Sequence, residues 1–152
     1  MSARQVITWS EADEMCARLA QRLAGQALET ILAIARGGLV PAALVSQHLN
    51  LRHVLAASVA SYDDDIRGET LHFLEFPTDT VLVGRRILVV DDIWDTGRTA
   101  MLVRERVVAA GGYPTVAVLH YKPMQSHYPD EHPDVSLEET DKWIEYPWEK
   151  GP

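Results

Sequence analysis

Ile87-Leu88-Val89-Val90-Asp91-Asp92-Ile93-Trp94-Asp95-Thr96-Gly97-Arg98-Thr99-Ala100 carries four apolar residues into two adjacent carboxylates, a third acid and a Thr-Gly-x-Thr turn. Ile87 to Val90 has the pattern of a parallel β-strand buried on both faces. Such a strand places Asp91 and Asp92 at its carboxyl tip, with successive side chains pointing to different sides. Asp91 to Arg98 reads as a polar turn, tightened at Gly97, and Thr99 to Ala110 as a helix ended by Gly111-Gly112. The free N–H groups at the start of that helix suit an anion, a phosphate above all, and Thr96 and Thr99 add hydroxyl donors. Acids beside an anion nest imply a ligand with both kinds of group. A sugar phosphate has them: hydroxyls for the carboxylates, phosphate for the amides. One aspartate at a strand end is more often a turn cap. The whole pattern Asp-Asp-x-x-Asp-Thr-Gly-x-Thr behind an apolar strand outweighs that reading. Neither G-x-G-x-x-G after the first strand nor G-x-x-x-x-G-K-[ST] occurs in the chain.

The flanking sequence supplies a matching frame. Ser10 and Asp13 resemble a capping box, and Ala12, Met15, Leu19 and Leu23 recur at helical spacing up to Gly25. Ile31 to Ala35 is a second doubly buried strand. It runs into Arg36-Gly37-Gly38 and then a helix over Leu39 to Leu49, with Pro41 tolerated in the first turn. Arg52 to Ser61 and Thr115 to Tyr121 read as further strands. Residues 62–80, with the run Asp63-Asp64-Asp65, lack periodicity and read as a mobile loop with a short hairpin around Thr70 to Phe76. Strands alternating with crossovers of a dozen residues predict an α/β fold, a central parallel sheet flanked by helices. Sites in such sheets collect at the carboxyl ends of the strands. The last 31 residues hold five of the eight prolines, and Trp143-Ile144-Glu145-Tyr146-Pro147-Trp148 is too aromatic to lie in water, so it should pack over something.

Composition narrows the function. The chain has 152 residues, 47% hydrophobic and 24% charged, which suits a single domain. Its formal charge of −8 lacks the electrostatic footprint of a nucleic-acid binder and would be repelled by an anionic membrane. No apolar run approaches the roughly 20 residues of a membrane span, and no signal-peptide pattern opens the chain. The single Cys16 excludes an internal disulfide and reads as inert on the first helix. A reduced, cytoplasmic protein is the expectation. His127 and His132, near Asp130 and Asp134, read as a solvated loop rather than a metal site, because prolines interrupt them. Trp94 has no assigned role beyond covering the site or meeting a neighbouring subunit.

Val89 to Ala100 resembles the phosphoribosyl-pyrophosphate signature of type I phosphoribosyltransferases. Val6-Ile7-Thr8-Trp9, Ala35 to Pro41, Arg52-His53-Val54, Ser61-Tyr62-Asp63, Tyr121-Lys122-Pro123 and Trp143 to Trp148 follow in the order seen in bacterial xanthine-guanine phosphoribosyltransferases and related purine enzymes, covering nearly the whole chain. The resemblance implies a core over residues 1–121 with a flexible lid near 62–80, and a C-terminal purine-binding hood over residues 122–152. It implies that Asp91 and Asp92 hold the ribose hydroxyls and steady the cationic sugar. Asp92 would also serve Mg²⁺, and Asp95, Thr96, Gly97, Arg98 and Thr99 would wrap the 5′-phosphate. Asp95 would exchange the proton on N7 of the base. Arg36 and Gly37 match the pyrophosphate loop, whose peptide bond is often cis in the family, and Arg67 would be the cation of the lid. Lys122, one of only three lysines, would donate to a 6-oxo group, with Trp143 and Ile144 forming the base site.

The implied reaction is Mg²⁺-dependent transfer of ribose 5-phosphate from phosphoribosyl pyrophosphate to N9 of a 6-oxopurine. Guanine, hypoxanthine and xanthine are not ranked by the sequence. The implied partners are that donor and a purine base, with no nucleic acid, and the implied assembly is a homo-oligomer, dimer or tetramer. Two alternatives stay open: a phosphoribosyl-pyrophosphate-binding regulator, and a transferase for another base such as a pyrimidine.

Overall fold

The computed structural model describes residues 3–64 and 68–150. The chain runs β1 (Arg4–Val6), α1 (Trp9–Leu23), β2 (Thr30–Ala35), α2 (Leu39–Leu49), β3 (Val54–Asp64), β4 (Gly68–Glu75), a 3-10 turn (Asp79–Val81), β5 (Arg86–Trp94), α3 (Arg98–Ala109), β6 (Tyr113–Tyr121), β7 (Val135–Glu139) and β8 (Trp143–Glu145). Six strands form the main sheet in the order β4-β3-β2-β5-β6-β7. Every pairing in it is parallel except β3 with β4. The fold class expected from the sequence is therefore present.

Burial explains the strand pattern. Ile87, Leu88, Val89 and Val90 are fully buried, as are Ile31 and Leu32 beside them. One face of the sheet packs on α1 and α2 through Leu19, Leu23, Val45, Leu88, Val90 and Leu119. The other packs on α3 through Val103, Val107, Ile87, Val89, Val116 and Val118. The crossover through α2 leads from β2 outward to β3, while α3 leads from β5 the other way to β6. The order reverses between β2 and β5, so a crevice opens beyond their carboxyl ends, the usual ligand position in such sheets.

Several elements depart from the expectations. The capping box of α1 uses Thr8 and Glu11, not Ser10 and Asp13. Glu11 N–H donates to Thr8 Oγ1 and Thr8 N–H donates back to Glu11 Oε2. Residues 62–80, expected as mostly loop, instead contribute the end of β3 and all of β4, whose pairing runs from Ser58↔Glu75 to Asp64↔Gly68. The polar turn expected from Asp91 starts later, because β5 stays paired to β6 through Ile93↔His120 and Trp94↔Tyr121. β6 is not the last strand of the sheet: β7, from the C-terminal segment, adds a parallel edge beside it. That edge is fastened by Asp134, whose carboxylate accepts the Val116 N–H at 2.7 Å and pairs with Arg104 at 3.4 Å. The aromatic tail returns to the start of the chain, where β8 pairs in parallel with β1. No helix among the described residues is long and apolar enough to cross a membrane. Cys16 is buried on α1, and burial, followed by the nearby Asp13 charge, pushes its thiol up to about 12.

Candidate functional site

The site is built from the carboxyl ends of β2 and β5. β2 feeds Arg36-Gly37-Gly38 and then α2, and β5 feeds Asp95-Thr96-Gly97 and then α3. The N-cap residues of these helices, Gly38 and Gly97, have no side chain to cap the first turn, and at α3 Thr96 Oγ1 accepts only the Arg98 N–H. At α2 the Gly38 and Leu39 N–H groups already donate to the Ile34 and Arg36 carbonyls and Pro41 has none, so the backbone donors that attract phosphate groups lie chiefly at the start of α3. The peptide bond between Ala35 and Arg36 is cis, one residue ahead of the Arg36–Gly37 pair.

Glycines are required where these loops approach β5. A Cβ on Gly37 would run into the Asp92 carboxylate, 2.7 Å from its Cγ, and one on Gly38 would meet the Val90 carbonyl and come 2.8 Å from that of Ile34. Gly97 has φ +84° and lies on the Trp94 indole. Trp94 is 1% exposed and donates its indole N–H to Ser126 Oγ at 3.1 Å, with the Arg104 guanidinium 5.6 Å from the ring centroid. It is therefore a floor under the Asp95–Gly97 turn, too buried to meet a neighbouring subunit. Gly97→Ala should cost roughly 2–4 kcal/mol, combining a left-handed backbone with overpacking against a buried indole. Urea denaturation reads this directly, and a loss below measurement error would refute the tight fit.

A cavity of about 100 Å³ opens among Asp91, Ile93, Trp94, Asp95, Thr96, Gly97, Thr99 and Ala100. It joins most of the residues expected to hold a sugar phosphate. Asp91 is half-buried, Asp92 buried and Asp95 exposed. Asp91 Oδ1 accepts the Asp92 N–H at 2.8 Å. Burial, then the charge of Asp92, hold the Asp91 carboxyl well above the usual carboxylate range. Burial also raises Asp92, against the opposing pull of the Trp148 N–H that its Oδ2 accepts at 3.2 Å. The crevice thus keeps two acids close together with little water. Arg98 lies elsewhere than its neighbours: its guanidinium holds the Glu69 carboxylate and carbonyl on β4, each at 3.0 Å, while its N–H donates to Thr96 Oγ1.

Lys122 is buried at 7% exposure, and its ammonium lies 5.8 Å from the ring centroid of Trp143, which is 62% exposed. Its N–H donates to the Trp94 carbonyl at 2.9 Å, which fixes the lysine beside the end of β5. No carboxylate among the described residues pairs with it. A cation under an open aromatic face suits a flat, electron-rich ring. Ile144 points the other way, into the core with Ile7 and Tyr146, so only its backbone is free to meet a ligand. Arg36 is exposed at the mouth of the crevice, and Arg67 lies outside the described residues.

Two residues that the sequence left unassigned join the site. Tyr146, 3% exposed, donates its hydroxyl to the Asp92 carbonyl at 3.0 Å, and Trp148 stacks on it at 4.8 Å. The aromatic run signalled packing, but nothing in it named Asp92 as the target. His127 and His132 do not form a metal cluster, and no group of three or more potential ligands occurs among the described residues. The pair Asp91 and Asp92 nevertheless offers the hard oxygen donors that Mg²⁺ takes when it keeps waters and substrate oxygens as its remaining ligands.

Residues 8–151 match the phosphoribosyl transferase domain family. Among solved structures, the chain is similar to the purine phosphoribosyltransferase of Pyrococcus horikoshii Ot3, with 32% identity, a TM-score of 0.86, and 98% of this chain and 96% of that one covered. It is similar to a hypothetical protein from Neisseria gonorrhoeae with bound ppGpp, with 28% identity, a TM-score of 0.86, and 99% and 91% covered. The Helicobacter pylori xanthine-guanine-hypoxanthine phosphoribosyltransferase shares the fold, with 23% identity, a TM-score of 0.81, and 95% and 93% covered.

Proposed function

The chain belongs to the phosphoribosyl transferase domain family, and from that premise we propose that it transfers ribose 5-phosphate from phosphoribosyl pyrophosphate to N9 of a 6-oxopurine, in purine salvage. The observation that carries this reading is the shared position of three devices. The Asp91–Asp92 pair, the start of α3 and the Lys122–Trp143 pair all stand at the carboxyl ends of β5 and β6. The similar Pyrococcus horikoshii protein is a purine enzyme, and the similar Neisseria gonorrhoeae protein binds a guanine nucleotide carrying phosphates. Both kinds of ligand suit such a site.

In this reading the bond from C1 of the ribose to the pyrophosphate oxygen breaks, the bond from C1 to N9 forms, and the base gives up a proton. Donor amides at the start of α3 hold the 5′-phosphate, and the Arg36–Gly37 loop faces the departing pyrophosphate. Asp91 and Asp92 take the ribose hydroxyls, and their charge favours the positive character that grows at C1. Asp95, exposed beside the cavity, receives the proton from the base. Lys122 donates to the 6-oxo group and would leave the 6-amino group of adenine unmatched. Mg²⁺, held by Asp92 together with substrate oxygens, would neutralise charge on the leaving pyrophosphate. The acidic tips of β3 and β4, with Arg67 between them, would close over the donor and limit its loss to water. The protein would work in the cytoplasm as a homo-oligomer.

Incubation with Mg²⁺, phosphoribosyl pyrophosphate and a panel of bases tests this. Nucleotide should form from guanine, hypoxanthine or xanthine and depend on the metal. Turnover of adenine or a pyrimidine in preference would overturn the base assignment. Donor binding without any transfer would favour the regulator.

A further inference from the structure

Three neighbouring parts of the site meet on one residue, Asp92, two at its carboxylate and one at its main chain. The backbone of Gly37, in the loop after β2, lies so close to Asp92 that even a methyl group would strike the acid. On another side, the indole N–H of Trp148 reaches Asp92 Oδ2 at 3.2 Å. The main chain of Asp92 is held as well, because the Tyr146 hydroxyl donates to its carbonyl at 3.0 Å. The β2–β5 ladder ends at Ala33↔Val90, so β5 reaches Asp92 without β2 beside it. Tyr146 supplies the bond that the sheet no longer does.

Tyr146 is itself fixed. Its hydroxyl shares a 2.7 Å hydrogen bond with Nδ1 of the fully buried His120, and its ring stacks on Trp148 with planes 8° apart. Burial, with the charges of Asp92 and Asp91, pushes its phenol up, so it stays a neutral donor. Packing alone accounts for the stacked rings. It does not account for both polar atoms of the pair ending on the same aspartate, particularly for Trp148, which is only half-buried and has water within reach.

We propose that Trp148 and Tyr146 are positioning residues that set the Asp92 carboxylate for the phosphoribosyl donor. Through them, the C-terminal segment carrying Trp143 is tied to the acids of the ribose site. This rests on the transferase reading above and adds to it a role for residues that touch neither donor nor base. A hydrogen bond to an ionised group contributes enough that its loss should be visible in binding of whatever the carboxylate holds.

Steady-state kinetics on the full chain, with donor and purine varied separately, test the proposal. Trp148→Phe keeps an aromatic ring to stack on Tyr146 while removing the N–H together with part of the indole. It should raise KM for phosphoribosyl pyrophosphate about tenfold, with KM for the purine and the melting temperature little changed. Tyr146→Phe, which keeps both rings, should shift the same constant in the same direction, and it replaces Trp148→Phe should the latter fail to fold. Trp148→His returns a ring N–H and should recover part of the loss. An unchanged donor KM, equal rises in both KM values, or no recovery in the histidine variant would overturn the proposal. Should wild-type protein make no nucleotide from any base, the transferase reading fails on its own account. The positioning role is then read by equilibrium binding of ribose 5-phosphate, and equal affinity in wild type and Trp148→Phe would overturn it independently.

Discussion

Asp95→Asn should lower kcat by roughly 10²- to 10⁴-fold, the usual contribution of a positioned acid or base. The KM for phosphoribosyl pyrophosphate should stay near its wild-type value. Asp95 is exposed at the edge of the cavity formed by Asp91, Thr96 and Gly97, and no ion pair among the described residues engages it. The fold therefore does not depend on its charge, and asparagine keeps its shape while losing the capacity to accept a proton. Asp91, Asp92 and the backbone donors of the phosphate turn are untouched, so the donor should still bind. Stopped assays of nucleotide formation, with donor binding measured by titration calorimetry, separate the two effects. Full turnover in the variant would remove Asp95 from proton transfer, and a parallel collapse of donor affinity would make it a binding residue instead.

Local patterns made the sheet readable, and distant pairings did not. α2 begins and ends at the expected Leu39 and Leu49, because Gly38 and Asn50 bound an apolar run. The end of β5 was harder. Two acids and Asp95-Thr96-Gly97 look like a turn, yet Asp92 and Trp94 are both buried and β6 stays paired beside them. The ladder outruns the apolar run because Trp94 has Ser126 to satisfy its N–H. Most of β3 was legible as the apolar run to Ser61, but the β3–β4 ribbon beyond it gave no apolar signal. Its outer part pairs Tyr62 with Thr70 and Asp63 with Glu69, and like charges opposite one another do not predict a strand. β1 and β8 have three residues each and meet from opposite ends of the chain, a contact that no short-range periodicity encodes.

The same division applies to the site. Asp91, Asp92, Asp95, Thr96, Gly97 and Thr99 lie within one short stretch and carry a pattern, and the structure gathers all of them but Asp92 around a small cavity. Lys122 stood out through rarity and position, and it is buried beside the expected Trp143. Ile144 could not be separated from Trp143 by sequence. Alternation along β8 sends one side chain outward and the other into the core. Tyr146 and Trp148 were legible only as aromatic bulk, since their hydrogen bonds depend on the tail lying against Asp92.

Replacing both acids proposed to hold the ribose, Asp91→Asn with Asp92→Asn, should have opposite effects on activity and stability. Activity should fall by at least roughly 10²- to 10³-fold, because two negative charges aimed at the growing cation are removed. The ligand-free protein, by contrast, should melt several degrees higher near neutral pH, where 1 kcal/mol is worth about 2–4 °C in a chain of this length. The reason lies in the acids themselves. Both carboxyls are raised above their ordinary value of 3.8, chiefly by burial and, at Asp91, by the Asp92 charge. A carboxyl whose folded pKa exceeds its unfolded one weakens the fold wherever the unfolded chain would ionise it. That penalty is complete above the raised folded value, shrinks as pH falls through it, and is gone below 3.8. Asparagine does not carry it at any pH. Melting temperatures of wild type and variant, compared without ligand from pH 7.5 downward, should therefore converge on acidification. A variant less stable at pH 7.5, or a gap that widens with acid, would show that the pair is not held under electrostatic load. Convergence together with lost activity would mean that the fold holds two acids under electrostatic load for the activity they serve.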